Sequence, residues 1–164
     1  MRFHLIALLA LTILFPSLAQ AASTKEAIII NSKGEKIGTA KFTETKVGVQ
    51  TSVSVSGLTP GAHGMHIHEA GQCKTPDFKS AGGHFNPSHK KHGKQNPQGA
   101  HMGDLPNLMV AKNGVGNLTF MISDLALRRI DSGKTAIVIH AAGDDGKTDP
   151  SGNSGDRIAC GVIA

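Results

Sequence analysis

The sequence contains no Trp and no Tyr, and only six of its 164 residues are Phe. Aromatic side chains bury the largest areas, so a core without them must be built mainly from Val, Ile, Leu and Ala. The scarcity of aromatic residues also argues against nucleic-acid binding, because the Lys residues are scattered and no aromatic residues interleave with them. The net charge of +5 agrees as well with a modest positive field that attracts a small anion as it does with nucleic-acid binding.

Long apolar runs are missing beyond the N-terminus. Arg2 precedes an apolar run over residues 5–15, and an Ala-Gln-Ala cleavage motif at 19–21 follows it, which is typical of a secretory signal peptide. The run is too short for a membrane span, and no Cys near the cleavage site could carry a lipid anchor. We therefore predict a cleaved signal peptide at 1–21 and one soluble domain at 22–164. The expected location is the periplasm, with release from the cell as the alternative.

Cysteine is also scarce, with only Cys73 and Cys160 in the chain. Export places them in an oxidising compartment, where two cysteines are expected to pair. Closing so long a loop would stabilise the fold by about 4–5 kcal/mol in the chain-entropy account. The alternative, two buried free thiols, is typical of the cytosol and is less favoured here.

The mature chain predicts an all-β fold. Short stretches with β-branched residues and alternating polarity are separated by Gly, Asn, Asp and Ser, which favours an antiparallel sandwich or barrel. Only 124–130 looks helical, and 58–61 is predicted to be a turn. The predicted strands, eight in all, are 26–31, 36–43, 47–55, 65–68, 108–111, 117–122, 136–140 and 158–163.

Two stretches, 70–105 and 141–156, are long, rich in Gly, Pro, Asn and Asp, and lack strand periodicity. Loops of this length in a compact domain are usually functional or disordered. Most of the candidate metal ligands lie in these loops or at their borders, so a functional role is favoured. The seven candidates are His66, His68, His84, His92, His101, Asp104 and His140.

These seven residues exceed what one metal ion needs. His66 and His68 are two apart, so on a strand both imidazoles share one face, and His140 ends an apolar strand. Imidazole ligands of this kind suit copper, zinc or iron. The four candidates within one loop match a closed tetrahedral zinc site: His84, His92, His101 and Asp104. If His84 is shared through both ring nitrogens, the seven residues form two four-ligand sites. His89 has no partner in this scheme and is read as a solvated loop residue.

Four segments resemble copper/zinc superoxide dismutase, and together the resemblance covers essentially the whole mature chain. They are GMHIHE at 64–69, GHFNP at 83–87, HMGDL at 101–105 and GDRIACGVI at 155–163. The resemblance implies an immunoglobulin-like Greek-key β-sandwich or flattened barrel of about eight antiparallel strands with two long functional loops. It also implies dismutation of superoxide to dioxygen and hydrogen peroxide by Cu(II)/Cu(I) cycling, with one copper and one zinc ion per subunit.

Carried over residue by residue, the resemblance implies copper bound by His66, His68, His84 and His140. It implies zinc bound by His84, His92, His101 and Asp104, with His84 as the bridging and proton-carrying residue. Asp144 matches the aspartate that hydrogen-bonds one ligand His of each metal. Arg157 matches the arginine at the mouth of the copper channel, where it attracts the anion. Cys73 and Cys160 match the family's intrasubunit disulfide.

The chain departs from the resemblance mainly in its loops. The segment between His140 and Arg157 is shorter than is usual for the family, which puts the channel shape and the subunit contacts in doubt. The sequence leaves open whether the protein is a monomer or a homodimer. Two other functions are weighed against the enzyme. An exported copper or zinc buffer would need neither Arg157 nor Asp144. A purely structural zinc protein would leave His66, His68 and His140 unexplained.

Overall fold

The computed structural model describes residues 22–123, 125–130 and 133–164. The predicted signal peptide at 1–21 lies outside these residues. None of the helices in the described part of the chain is long and apolar enough to cross a membrane.

The described residues form nine antiparallel strands in one sheet that curls into a nearly closed barrel. Two short 3₁₀ helices, Lys79–Ala81 and Leu127–Arg129, interrupt the loops. The strands are β1 Thr24–Asn31, β2 Lys36–Thr45, β3 Gly48–Val55, β4 Gly61–His63, β5 Met65–His68, β6 Leu108–Val110, β7 Gly116–Ser123, β8 Ala136–His140 and β9 Arg157–Val162.

The sheet order is β4-β6-β7-β3-β2-β1-β9-β8-β5. Its two edge strands, β4 and β5, are therefore neighbours along the chain, separated only by Gly64. The N–H of Gly64 donates to the carbonyl of Ala142 at 2.8 Å, and the N–H of His140 donates to the carbonyl of Gly64 at 2.9 Å. The segment that joins the two edges is thus held against the start of the second long loop.

The all-β, antiparallel prediction is confirmed, and three local details differ from it. The predicted turn at 58–61 leads directly into β4, which adds a ninth strand. Within the predicted helix at 124–130, the described residues 125–130 contain only the single 3₁₀ turn at Leu127–Arg129. Val47 belongs to the turn before β3 and is 70% exposed, whereas Val49 begins the buried face of that strand.

The core is aliphatic, as the lack of aromatic residues requires. Its main cluster consists of Ile, Val, Leu, Met and Ala with a single aromatic residue, Phe42. A second, smaller cluster packs Phe78 of the first long loop against Val138 of β8 and Cys160 of β9. These apolar contacts therefore hold the first long loop against the sheet.

Strands β5 and β8 differ from the others because every residue of both is buried. Met65 and Ile67 pack in the core, and His66 and His68 face the opposite side. Residues 70–105 and 141–156 cover that opposite side. The fold therefore places a pair of histidine-bearing strands beneath two loops.

Candidate metal centre

The candidate ligands of the first group come together on β5, β8 and the first long loop. His66, His68, His84 and His140 each offer a ring nitrogen, and these atoms all lie within 4.8 Å of one another. Three of the rings are fully or almost fully buried, and His84 is partly buried. The structure thus places together the four residues for which the sequence predicted one site.

In three of these histidines, one ring nitrogen is hydrogen-bonded to an acceptor outside the group. The other ring nitrogen therefore faces the group. His68 Nδ1 lies 2.9 Å from the carbonyl of Gly82, and His140 Nδ1 lies 3.0 Å from the carbonyl of Gly155, so both donate there. His66 is reversed, because its Nε2 lies 2.7 Å from Asp144 Oδ2. Such partners fix the tautomer and the orientation of the ring.

The remaining ring nitrogens are buried and, within the described residues, have no hydrogen-bond partner. Unpartnered buried polar atoms are costly, and a native protein needs a reason to keep them. Four of them converging in one place is explained by a bound metal ion, and imidazole nitrogens are suitable ligands for copper. The atoms are His66 Nδ1, His68 Nε2, His84 Nε2 and His140 Nε2.

The second group surrounds one oxygen of Asp104. Its Oδ1 lies 3.0 Å from His84 Nδ1, 3.1 Å from His92 Nδ1 and 3.2 Å from His101 Nδ1. Ligands about 2.1 Å from a tetrahedral zinc ion lie roughly 3.4 Å from one another, so this spacing fits zinc. The other oxygen, Oδ2, accepts the backbone N–H groups of Gly93 and His101 at 2.8 and 2.9 Å, which leaves Oδ1 for the group.

His84 belongs to both groups. Its Nδ1 faces Asp104, and its Nε2 is the unpartnered nitrogen of the first group. His66 also lies near the second group, but Asp144 occupies its Nε2, and only Nδ1 is left for the first. His101 is the better fourth member of the second group because its Nδ1 lies 3.2 Å from both Asp104 Oδ1 and His84 Nδ1.

Asp144 spans the two groups. Its Oδ2 accepts from His66 Nε2, and its Oδ1 accepts from His92 Nε2 at 3.0 Å and from the backbone N–H of Gly146 at 2.6 Å. Burial raises the pKa of this carboxyl, but the hydrogen bonds from the two histidines and Gly146 outweigh burial and hold the pKa well below its usual range. Asp144 is therefore ionised and acts as an acceptor.

Burial also keeps the candidate ligand imidazoles neutral. It lowers the pKa of His66 to about 3, of His68 to about 2 and of His140 to about 4, and the hydrogen-bond acceptors on the other nitrogen only partly oppose it. Metal ions bind only the deprotonated nitrogen. The site therefore keeps these lone pairs free throughout the neutral and mildly acidic range.

Arg157 lies beside the first group. A cavity of about 460 Å³ is lined by His84, His140 and Arg157, among others, and opens to solvent. The guanidinium donates to the carbonyls of Phe78 at 2.9 Å and Gly82 at 2.8 Å. Burial lowers the pKa of Arg157 and the negative charge of Asp77 opposes that shift, but a guanidinium keeps its proton in proteins. A small anion entering the cavity would meet a fixed positive charge next to His140.

Cys73 and Cys160 form a disulfide, as the sequence predicted. The bond ties the first long loop to β9, three residues from Arg157. The same loop carries the two carbonyl groups that hold Arg157 and His68, so the covalent link also supports the wall of the cavity.

Two supporting residues were not identified from the sequence. His63 is buried, and its two ring nitrogens lie 2.7 Å from the carbonyl of His140 and 2.8 Å from the carbonyl of Thr59. Asn107 hydrogen-bonds the backbone of Asp144. Both act on backbone groups distant in sequence, and no local pattern signals such a partner. His89, read as a solvated residue, is exposed and lines the cavity mouth.

Comparison with known proteins agrees with this geometry. The family profile described as copper/zinc superoxide dismutase matches residues 36–163. The chain belongs to the copper/zinc superoxide dismutase family. It is 47% identical over 154 residues to copper–zinc superoxide dismutase 1 of Aquifex aeolicus (strain VF5), and the alignment covers 90% of each chain.

Solved structures of this family have the same fold. The copper/zinc superoxide dismutase of Brucella abortus superposes with a TM-score of 0.75 at 31% identity, covering 87% of this chain and all of that one. A superoxide dismutase-like protein of Bacillus subtilis superposes with a TM-score of 0.80 at 42% identity, covering 83% of this chain and 94% of the other. That crystal structure is of a double mutant in which a tyrosine and a proline are each replaced by histidine.

Proposed function

We propose that the protein converts two superoxide ions and two protons into dioxygen and hydrogen peroxide. The observation that carries this proposal is the convergence of four unpartnered ring nitrogens, one of which belongs to a histidine whose other nitrogen lies in a second ligand group. Family membership and the homologues named superoxide dismutase support it.

We assign one copper ion to His66, His68, His84 and His140, and one zinc ion to His84, His92, His101 and Asp104. Copper, when bound, supplies the one-electron oxidation of one superoxide ion and the one-electron reduction of the next. The protein's own residues must then attract the anion, hold it, and deliver protons to the reduced product.

Arg157 attracts and orients the substrate. Two carbonyl groups fix its guanidinium at the cavity wall, so its charge does not have to be repositioned when the anion arrives. Arg157 and His140 line the same cavity, so a superoxide ion that enters it would meet both side chains.

His84 carries a proton at Nε2. Its Nδ1 is held in the Asp104 group, so the ring keeps its place while Nε2 takes up a proton and gives it to the peroxide product. Because the ring lies at the cavity wall, the proton can be replaced from solvent. Asp144 keeps the neighbouring rings of His66 and His92 in fixed tautomers during this cycle.

We further propose that the protein is exported, with residues 1–21 removed, and acts in the periplasm or outside the cell against superoxide generated there. The disulfide between Cys73 and Cys160 supports an oxidising location. Within this proposal the protein binds no nucleic acid and has no membrane anchor, and it is a monomer or a homodimer.

The test is to measure the metal content of the purified mature protein together with superoxide dismutation. One copper and one zinc ion per subunit with fast turnover would support the proposal. Binding of both metals without dismutation would instead indicate an exported metal buffer. Zinc alone, with no activity after copper is added, would indicate a structural zinc protein.

A further inference from the structure

Asn107 lies beside Asp144, the residue that spans the two ligand groups, and belongs to neither group. It is partly buried and follows Asp104 by three residues, just before β6. Its side-chain Nδ2 donates to the carbonyl of Asp144 at 2.9 Å, and its Oδ1 accepts the N–H of Asp144 at 2.8 Å. The amide thus pairs with both backbone polar groups of one residue, as a neighbouring strand would.

This pairing takes the place of backbone hydrogen bonds that the second long loop does not form at Asp144. The backbone of Ala142 bonds that of Ser154, and Asp145 bonds Gly152, on either side of Asp144. The backbone polar groups of Asp144 go to Asn107 instead. The position of Asp144 is therefore set by a residue between the first long loop and β6. This segment is anchored where Leu105 donates to the carbonyl of Met65 at 3.2 Å.

The side chain of Asp144 is confined as closely as its backbone. A Cβ on Gly152 would lie 1.9 Å from Asp144 Oδ1, and a Cβ on Gly64 would lie 3.2 Å from Asp144 Cβ. Packing this close leaves the carboxylate little freedom to adjust if its backbone moves. A shift of Asp144 would therefore change its hydrogen bonds to His66 and His92 directly.

We propose that Asn107 is a positioning residue that couples the two metal groups. This inference rests on the metal assignment above. Asn107 follows Asp104 across Leu105 and Pro106, and the proline restricts the backbone between them. Binding of an ion at Asp104 therefore fixes Asn107, Asn107 fixes Asp144, and Asp144 fixes the tautomer and orientation of His66. Coupling of this kind is reciprocal, so each metal strengthens the binding of the other by the same factor.

The test uses the mature protein after removal of its metals. Zn(II) affinity and Cu(II) affinity are measured by competition titration, each with the other ion absent and present, in the parent, Asn107→Ala, Asp144→Ala and the double variant. Loss of a partner of this kind typically weakens metal binding about 10–100-fold. We expect Asn107→Ala to weaken Zn(II) binding by about 10-fold and to lower the coupling factor, leaving the part of the coupling that the shared His84 carries.

The double variant separates positioning from general stabilisation. If Asn107 acts through the carboxylate of Asp144, Asn107→Ala causes no further loss of affinity in the Asp144→Ala background. An equal loss in both backgrounds, or an unchanged coupling factor in Asn107→Ala, would overturn the inference. Asn117→Ala, an exposed substitution on β7, is the matched control and should leave both affinities unchanged.

A second variant keeps the test valid if Asn107→Ala folds poorly. Asn107→Asp retains the acceptor for the Asp144 N–H but places an oxygen against the Asp144 carbonyl, so it should lower the coupling factor as Asn107→Ala does. ¹⁵N NMR of His66 Nε2 and His92 Nε2 in the metal-free protein gives an independent readout, and both signals should shift in this variant. Unshifted signals would contradict the inference. Failure of the parent to bind both metals would contradict the proposed function, whereas a parent that binds both with no Asn107 effect contradicts only this inference.

Discussion

At the scale of single residues, the site depends on which nitrogen each imidazole presents. His66 donates from Nε2 to Asp144, whereas His68 and His140 donate from Nδ1 to backbone carbonyls. The ligand set therefore mixes two tautomers, and each is imposed by an acceptor outside the set. A change that removes such an acceptor would alter the site while every ligand stayed in the sequence.

Replacing His140 tests the first group most directly. His140→Ala removes one of the four converging nitrogens, so copper binding should fall sharply and dismutation should fall to background. Zinc content should remain near the parent value, because the three histidines around Asp104 are untouched. His89→Ala is the control, since His89 lines the same cavity but belongs to neither group. Full activity in His140→Ala would refute its assignment as a ligand.

Arg157→Ala tests the attraction of the anion. Both metals should be retained, and the rate of dismutation should fall by about 10-fold or more at low ionic strength, because electrostatic steering raises association rates by 10–10³-fold. The deficit should shrink as salt screens the charge in the parent. Arg129→Ala, on the distant 3₁₀ helix, is the matched control. An unchanged rate at low salt in Arg157→Ala would exclude the steering role.

Residue types and spacing pointed to the seven residues that the structure brings together in two groups. His-x-His on a strand and clustered histidines in a loop can be recognised from the sequence alone. The supporting residues His63 and Asn107 could not be identified in the same way. Each bonds to a backbone group, at His140 and Asp144 respectively, and any residue type can supply a backbone group. Their importance depends on the fold, which brings 63 beside 140 and 107 beside 144.

At the scale of elements, the first long loop is held by three kinds of contact. Phe78 packs in the small apolar cluster, the disulfide ties Cys73 to β9, and the carbonyls of the loop accept from Arg157 and His68. These contacts thus fix the part of the loop that supports the cavity wall. The sequence indicated the loop's function from its length and ligands, but not these attachments.

Breaking the disulfide should therefore affect the cavity more than the group around Asp104. In the Cys73→Ser/Cys160→Ser variant, we expect the free energy of unfolding to fall by about 4–5 kcal/mol at most, since the closed loop is long. Dismutation should fall more than zinc content, because the carbonyls of Phe78 and Gly82 orient Arg157. Denaturant unfolding, metal analysis and activity at equal protein concentration measure the three effects. Full activity despite lower stability would show that the loop holds its shape without the bond.

The strand assignments succeeded where alternation was regular and failed where it was not. β3 alternates buried and exposed residues along its whole length, as the pattern in Val53 and Val55 predicted. β4 has only three residues and follows a turn, so it offers too few positions for a period of two to be recognised. Residues 127–129 form a single 3₁₀ turn, and a short apolar stretch does not distinguish that from an α-helix.

At the scale of the whole molecule, the buried neutral histidines make the metal-free protein sensitive to acid. His66 and His140 have pKa values of about 3 and about 4 in the folded protein, against 6.5 when unfolded. Between these values the unfolded chain binds more protons, so stability falls as pH decreases from about 6.5 to 4. Each such histidine contributes a slope of at most about 1.4 kcal/mol per pH unit.

This acid sensitivity can be measured by denaturant unfolding of the metal-free protein between pH 8 and pH 4, a range chosen to bracket roughly the ordinary pKa of histidine. We expect little change above pH 7 and a steady loss below 6.5. His140→Ala should reduce the slope, because one histidine no longer titrates. Bound metals should suppress the loss, since ligated nitrogens resist protonation. A flat profile for the metal-free protein would show that these rings take up protons in the folded protein as readily as in the unfolded chain.

The position of Gly64 between β4 and β5 also bears on solubility. A sheet edge with unpaired N–H and C=O groups can pair with another chain and start aggregation. Here both edges of the sheet, three and four residues long, belong to one continuous segment, and that segment carries His66 and His68. His66 and His68 also form isolated β-bridges with Asp104 and His84, so the proposed metal ligands cover part of the β5 edge. If these residues bind metal as proposed, loss of the ions would loosen this cover, and the metal-free protein should self-associate more readily than the metal-loaded one.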